Sequence, residues 1–519
     1  MSKTSGLRLL ALDGNDTVGG TKYLVQTDGL GLMLDFGMNY SKMGKYYDGY
    51  LQPRGAAGIW DLVTLGLLPD VRGLYRKDLM LPDLKLQGPE VGRLDAVLVT
   101  HAHLDHAGAL DLIRPEIPVA ASALTAATLK AMQDTGSPDM LYDSEREVLR
   151  RRNNVVLKSG KKQWRRDLIL SDGAPGTGFD RFWQEPPWKD KKLPAGTIHH
   201  DLDALGCQTF PVDHSVKGSA AFVIQSPQGR LVYPGDIRAH GLRGKDTEQF
   251  LKRAHSPRPY VLFMEGTNIV ASEGEATTTT EEDVRRNAKA LLDGMAGEAA
   301  LADFGPRNIE RLEIFADAAK EVGRRLVVTP KDAYVLRALH AADPTIPVPG
   351  DDLAVFDSPK GSEGKQWEAV VFGEFAKEVV SPSEIRESPG DYLVAFSLND
   401  VKHLVDLRPE GGHYLYSSSE AFSEEQALDF RRLGHWLSRF DLEPHGFRIL
   451  PDGGVEFAKG GESLHASGHA PAVELERIVR TLNPEVIVPL HTGHPEAFQE
   501  KFGGEYKVIA PPLCRWTAL

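Results

Sequence analysis

Seven consecutive residues, Leu94 to Thr100 (LDAVLVT), are apolar and β-branched almost throughout, and the next six, His101-Ala102-His103-Leu104-Asp105-His106, hold three histidines and an aspartate. The apolar run reads as a buried strand, covered on both faces. Four metal-ligand side chains packed so densely can converge only if the chain turns sharply at the strand's end. Alternation then sends His101 and His103 to one side, and the turn brings Asp105 and His106 beside them. Imidazole and carboxylate together are the ligand set of zinc or manganese. Three further candidates stand in matching contexts: His214 in PVDHS, Asp236 in YPGD and His491 in PLHTG. Each is placed at a strand's C-terminal end, where open α/β sheets build their sites. A single histidine is more often a hydrogen-bonded structural residue. The combination is what argues for a metal centre.

The rest of the chain alternates strand and helix patterns, as an α/β protein does. Short apolar runs at Leu9–Leu12, Lys22–Thr27, Leu32–Phe36, Arg230–Tyr233, Tyr260–Met264, Arg325–Thr329 and Pro484–Leu490 predict strands. Ile309, Leu312, Phe315, Ala316, Ala319 and Val322 fit one helix face, with Gly323 as the cap. Leu475, Ile478, Val479 and Leu482 fit another, stopped by Pro484. A chain of 519 residues is expected to form two to four domains. The Gly14–Gly20 segment lacks the Gly-Lys-Ser/Thr of a P-loop. The only cysteines, Cys207 and Cys514, make no disulfide framework, so a reducing, cytoplasmic setting is expected. Neither a signal peptide nor a membrane partner is expected.

A net charge of −13 counts against non-specific coating of nucleic acid. One region runs the other way. Residues 150–192 carry twelve Lys/Arg against five acids, interleaved with Trp164, Phe179, Phe182, Trp183 and Trp188. Cations and aromatic faces together can line a single-strand channel. Equally, the segment reads as a solvated insertion whose aromatics pack on the domain beneath.

His101–His106 matches the HxHxDH motif of the metallo-β-lactamase superfamily, and the later residues resemble its remaining motifs in order. The resemblance implies that His101, His103 and His214 hold one divalent metal ion, that Asp105, His106 and His491 hold a second, and that Asp236 bridges them. Zinc is the expected ion, with manganese the alternative. Asp35, in LDFG, resembles the aspartate that supports such a centre from behind its ligands. The long interval between Asp236 and His491 narrows the resemblance to the β-CASP nucleases. Glu265 in MEGTN resembles the acidic motif that opens their cap, and His469 in HASGHA resembles the histidine motif of the RNase J group. A histidine at position 491, where DNA-repair members often carry valine, favours RNA. The segment Ala302–Ile309 (ADFGPRNI) also resembles an RNase J segment near the substrate.

The implied fold is an α/β metallo-β-lactamase αββα sandwich with an inserted α/β β-CASP cap. Residues 1–270 form the N-terminal part of the sandwich, with the basic insertion at about 136–200, residues 271–450 the cap, and residues 451–519 the C-terminal part. The implied activity is two-metal hydrolysis of single-stranded RNA, as a 5′-to-3′ exonuclease, an endonuclease or both, by a chain expected to form a homodimer. Asp105 and Asp236 serve the reaction as ligands, His469 is the general acid and Glu265 holds and tunes it. Arg307, Asn308, Ser467 and Gly468 are expected on the substrate. A single-stranded DNA nuclease of the same fold and an RNA-binding scaffold without catalysis are the alternatives. The C-terminal domain typical of RNase J is expected to be missing, since the sequence stops soon after His491.

Overall fold

Alternate residues of the first strands enter two different cores. In Arg8–Asp13, Leu9 and Ala11 join one cluster and Leu10 and Leu12 another; Leu32 and Leu34 part from Met33 in the same way. Burial on both faces is what makes these strands read as unbroken apolar runs. The computed structural model describes residues 6–136, 146–153, 156–173, 175–186, 194, 196–270, 279–305, 307–358, 365–418, 424–451 and 454–519.

Two sheets face each other. The first runs Trp516–Ala518, Arg8–Asp13, Lys22–Gln26, Gly31–Leu34, Ala96–Leu98, Val119–Ala121, Leu168–Leu170 and Ile198–His199, with neighbours antiparallel as far as Gly31–Leu34 and parallel from that strand onward. The second runs Cys207–Pro211, Ala220–Ser226, Gly229–Tyr233, Val261–Glu265, Val486–Leu490 and Lys507–Val508. Their facing sides share one core, in which Tyr23, Leu34 and Leu98 meet Phe222, Phe263 and Val488. Helices cover both outer faces. Ala123–Thr135 and Thr177–Gln184 pack on the first sheet, and Gly244–Ala254 and Ala472–Leu482 on the second. This is a helix–sheet–sheet–helix sandwich.

Val486–Leu490 lies parallel to Val261–Glu265, with Leu490 opposite Glu265. The chain leaves the sandwich after Glu265 and returns beside it. In between it builds a third sheet of seven strands, all parallel, in the order Val379–Val380, Leu353–Phe356, Arg325–Val328, Tyr392–Ala395, Ala300–Asp303, Gly412–Tyr416, Leu442–His445. Helix Ile309–Glu321 is buried more widely than one face, because Ile314 packs on Val284 and Ala466 while Phe315 and Ala319 face the main core. Val322 is its C-cap, and Gly323 follows at φ +77°. Asn483, at φ +47°, ends the helix before Pro484. No helix among the described residues is long and apolar enough to cross a membrane.

The basic segment forms a hairpin, Arg146–Asn153 with Val156–Arg165, and then gives two strands to the first sheet. Several of its cations and aromatics are buried in the core rather than free to line a channel. Arg166 is 2% exposed and donates to the carbonyls of Leu110, Ile113, Arg114 and Ile117. Arg165 is buried against the Trp183 ring and bonds its carbonyl. Phe179, Phe182 and Trp183 are core, and Trp164 donates to the Pro115 carbonyl. These guanidinium groups are sealed in because backbone acceptors replace water around them. Arg151, Arg152 and Lys158 are exposed, while Trp188, Lys189, Lys191 and Lys192 fall outside the described residues.

Candidate metal centre

The strand Ala96–Leu98 delivers His101 to a turn that starts the short helix Leu104–Ala107, with His103 as its N-cap. The turn packs so tightly on Gly37 that a Cβ there would lie 1.7 Å from the Asp105 carbonyl oxygen, so only glycine fits. Asp35, at φ +52°, follows the neighbouring strand and is fully buried. It accepts from the Thr100 amide (2.8 Å) and hydroxyl (2.7 Å), the Tyr233 hydroxyl and His106 Nδ1 (2.6 Å). Fixing Nδ1 turns His106 Nε2 into the site.

The ligand atoms fall into two groups, each gathered within 4.8 Å: His101, His103, His214 and Asp236, and Asp105, His106, Asp236 and His491. In the first, His103 Nδ1 is 3.1 Å from His101 Nε2 and 3.2 Å from His214 Nε2. In the second, His491 Nε2 is 3.1 Å from Asp105 Oδ2, and His106 Nε2 is 3.1 Å from Asp236 Oδ2. Such spacings match the edge of a tetrahedron around a zinc-sized ion, roughly 3.3 Å. Asp236 Oδ2 is common to both groups, 3.7 Å from His101 Nε2 and 3.6 Å from His491 Nε2.

Several ring nitrogens that face away from the site are held from behind. Thr100 Oγ1 meets His101 Nδ1 at 3.0 Å, the Gly468 carbonyl meets His214 Nδ1 at 2.6 Å, and Thr267 Oγ1 meets His491 Nδ1 at 3.0 Å. Partners of this kind fix ring orientation in metal sites. His491, at φ +49°, holds a backbone conformation that non-glycine residues rarely adopt, and its amide donates to the Gly14 carbonyl.

The electrostatics fit cations. Burial, then neighbouring imidazoles, depresses His101 and His214 well below the usual histidine range, and for His103 the Arg307 charge adds to burial and His214. All three are therefore neutral, with lone pairs to offer. Burial also works against a charged His106, but Asp236, Asp105 and Asp35 outweigh it and raise that residue. The carboxylates of Asp105 and Asp236 stay ionised despite burial. The centre thus demands positive charge. His106 Nε2 and Asp236 Oδ1 are buried without a hydrogen-bond partner, although the two side chains are 3.1 Å apart at their closest. Close approach without hydrogen-bond alignment is what ligands of a common ion show, and the donor set suits divalent metal ions.

Glu265 and His469 stand at the rim. Glu265 is fully buried; it meets His469 Nδ1 at 3.1 Å and accepts from the amides of Ile237 (3.4 Å) and Thr267 (3.1 Å). Burial works against the imidazolium, but Glu265 and then Asp236 outweigh it, and His469 is raised to about 9. Its ring stacks on His491 at 5.3 Å and its Nδ1 is 3.9 Å from Asp236. Thr267 Oγ1 lies between His469 Nδ1 (3.2 Å) and His491 Nδ1. Sequence reasoning missed Thr267, although it sits two positions after Glu265 in MEGTN, and it missed Tyr233 behind Asp35.

The residues expected on the substrate divide. Arg307 stands beside the histidine turn and donates to the Ala102 carbonyl at 3.3 Å. Asn308 Oδ1 accepts from the Arg311 amide and caps helix Ile309–Glu321. Ser467 Oγ accepts from the His469 amide. Gly468 passes so close that a Cβ would meet Ser215 Oγ at 2.8 Å and His214 Cε1 at 3.0 Å. Ser467 and Gly468 therefore shape the centre itself.

A facing pair of sheets with two adjoining His/Asp clusters at the strand ends is the architecture of a metallo-β-lactamase domain, and residues 16–267 match the metallo-beta-lactamase superfamily. Over most of its length the chain is similar to ribonuclease J. It is 24% identical over 484 residues to ribonuclease J of Sinorhizobium meliloti, covering 89% of this chain and 68% of that one. It is 23% identical over 494 residues to that of Pyrococcus abyssi (93% and 89%), and 22% identical over 427 residues to that of Mycolicibacterium smegmatis (80% and 61%). The fold also matches a crystal structure of a protein of unknown function from Enterococcus faecalis V583, with a TM-score of 0.66 and 19% identity, over 99% of this chain and 100% of that one. Residues 16–267 thus match a metallo-β-lactamase domain, and the chain as a whole resembles ribonuclease J.

Proposed function

We propose that this chain is a metal-dependent ribonuclease that hydrolyses phosphodiester bonds of single-stranded RNA. One observation carries the reading: Asp236 Oδ2 belongs to both ligand clusters, and the Glu265-held imidazole of His469 stands 3.9 Å from that carboxylate. His101, His103 and His214 would hold one ion and Asp105, His106 and His491 the other, with Asp236 between them; zinc suits the donors best, with manganese as the alternative. Two such cations, once bound, would make water nucleophilic near neutral pH and neutralise charge developing on the phosphate.

The protein's own groups do the rest. Asp35, Thr100, Thr267 and the Gly468 carbonyl hold the imidazoles in register. His469, kept protonated by Glu265, gives its proton to the departing 3′-oxygen as the P–O bond breaks, leaving a 5′-phosphate and a 3′-hydroxyl. Arg307, beside the His101–His103 turn, supplies a fixed charge for the phosphate. The free cysteines Cys207 and Cys514 fit a reducing cytoplasmic setting.

The test is digestion of matched RNA and DNA oligonucleotides, labelled at either end, with zinc or manganese present. The reading expects RNA to be consumed far faster than DNA, and the 5′ label to appear first in mononucleotide if the enzyme works from that end. Equal rates on DNA would favour the DNA nuclease. Binding of RNA with no products would favour the scaffold.

A further inference from the structure

The seven-stranded sheet ends on two neighbouring parallel strands, Gly412–Tyr416 and Leu442–His445, the second of which is the edge. Their register sets His413 opposite Glu443, and Leu415 opposite His445. Residues two apart on a strand share a face, so His413, Glu443 and His445 emerge together. His413 Nδ1 lies 3.0 Å from His445 Nε2 and 3.8 Å from Glu443 Oε2, and the three ligand atoms sit within 4.8 Å of one another. None of these residues belongs to the lactamase sheets or to the clusters around Asp236.

A fourth residue gives the group direction. Glu298 Oε2 meets His413 Nε2 at 2.9 Å. A carboxylate can only accept there, which assigns the proton to Nε2 and leaves Nδ1 as a lone pair aimed at His445 and Glu443. A carboxylate behind an imidazole, fixing its tautomer toward an ion, recurs in metal sites. The group faces a cleft of about 750 Å³ walled partly by Glu298, His413 and Glu443, which gives a hydrated ion a way in.

We propose that His413, His445 and Glu443 form a third metal site, remote from the catalytic centre, that takes a divalent first-row transition ion such as zinc, with Glu298 as the positioning residue behind His413. Two imidazoles and a carboxylate are borderline ligands that select such ions over calcium or magnesium. Three protein ligands leave a position for water. The ion ties the edge strand to its neighbour, which otherwise holds that strand from one side only.

The experiment counts ions on the full chain. Protein stripped with a chelator and dialysed against buffered free zinc is assayed by mass spectrometry of bound metal, beside His445→Ala and Glu443→Gln. The expected result is one ion per chain fewer in His445→Ala, whatever the parent's total, and at least a ten-fold weaker final ion in Glu443→Gln, with RNA hydrolysis unchanged in both. The same one-ion loss is expected in a His103→Ala background, which separates this site from the catalytic centre. Glu443 is 69% exposed, so its substitution reports on binding even should His445→Ala fail to fold. Equal zinc content and affinity in the parent and both variants would overturn the site and leave the two histidines as a hydrogen-bonded pair.

Discussion

Arg238 of the lactamase sandwich pairs with Glu281, at the start of the first helix of the insertion, at 3.0 Å, and neither side chain has any exposed surface. Arg238 also meets Asp213 and Glu310, and Arg311 meets Glu281 from the other side. Both guanidinium groups reach main-chain carbonyls of the segment that leads to His469: Arg238 bonds that of Ser467 at 2.8 Å, and Arg311 that of Leu464 at 2.9 Å. The insertion is thereby fixed to the metal centre through buried charge.

Breaking a buried pair strands the partner's charge, which costs about 3–5 kcal/mol. Glu281→Ala is therefore expected to lose about that much stability in urea titration. It should also lower kcat on RNA without removing the catalytic ions, because the support of His469 is loosened rather than the ligands. Unchanged stability would show that the network contributes little.

The network holds two guanidinium groups against three carboxylates, and the surplus appears as opposite shifts. Burial raises Glu281, but Arg311 and Arg238 outweigh it and hold that group at about 2. Burial raises Glu310 to about 7; Arg238 offsets part of this, while Asp213 and Glu281 add to it, and Glu310 Oε1 has no partner. A carboxyl whose folded pKa exceeds its unfolded value favours folding when protonated. Its contribution is full below the unfolded pKa, near 4.3, and is lost as pH rises through about 7. Glu310→Gln should thus be more stable than the parent at pH 8, with the difference narrowing toward pH 5. Urea titrations at both pH values measure it, and a constant difference would argue against the shift.

The convergence of the two His/Asp clusters was legible in the sequence because their residues follow apolar strands in short motifs, so local pattern and cluster coincide. Asp35 and Glu265 were legible for the same reason. The supporting network was not. Arg238, Glu281 and Arg311 lie in unremarkable polar stretches, and only the return of the chain beside Val261–Glu265 brings them together. Tyr233 and Thr267 act through single hydroxyls, which leave no spacing to read. The basic segment stayed open between a channel and a packed insertion because composition counts charges without showing which are buried: Arg165 and Arg166 are core. Asn308, expected on the substrate, caps a helix.

Arg166 makes the packed insertion testable. Its guanidinium serves four backbone carbonyls, and leaving buried acceptors unpaired costs about 1–3 kcal/mol each before relaxation. Arg166→Ala is expected to lose at least about 2 kcal/mol in urea titration. The salt dependence of RNA binding should keep its slope, since no phosphate contact is removed. A flattened slope with intact stability would favour the channel reading.

His103 tests the centre itself. It lies 3.1 Å and 3.2 Å from two other imidazoles, so His103→Ala opens the first cluster while leaving Asp105, His106 and His491 in place. The expected outcome is loss of RNA hydrolysis, loss of at least one tightly held ion on metal analysis, and an unchanged circular dichroism spectrum. Chelation of the parent should have the same effect on hydrolysis, reversed by zinc or manganese. Turnover that survives either treatment would place the chemistry elsewhere.

His469 and Glu265 separate proton transfer from metal binding. They meet at 3.1 Å, and Glu265 is first among the charges that keep the imidazole protonated. Glu265→Gln keeps the shape and most of the hydrogen bonds but removes the charge. If His469 donates the proton to the leaving oxygen, both Glu265→Gln and His469→Ala should lower kcat, the latter by about 10²–10⁴-fold, as for loss of a general acid. Ion content should match the parent in each, since neither residue is needed to complete the clusters around Asp236. A substrate whose leaving oxygen is replaced by sulfur needs no such proton, so it should be cleaved by His469→Ala at nearly the parent rate. A variant that is slow on both substrates would assign His469 to binding the phosphate instead.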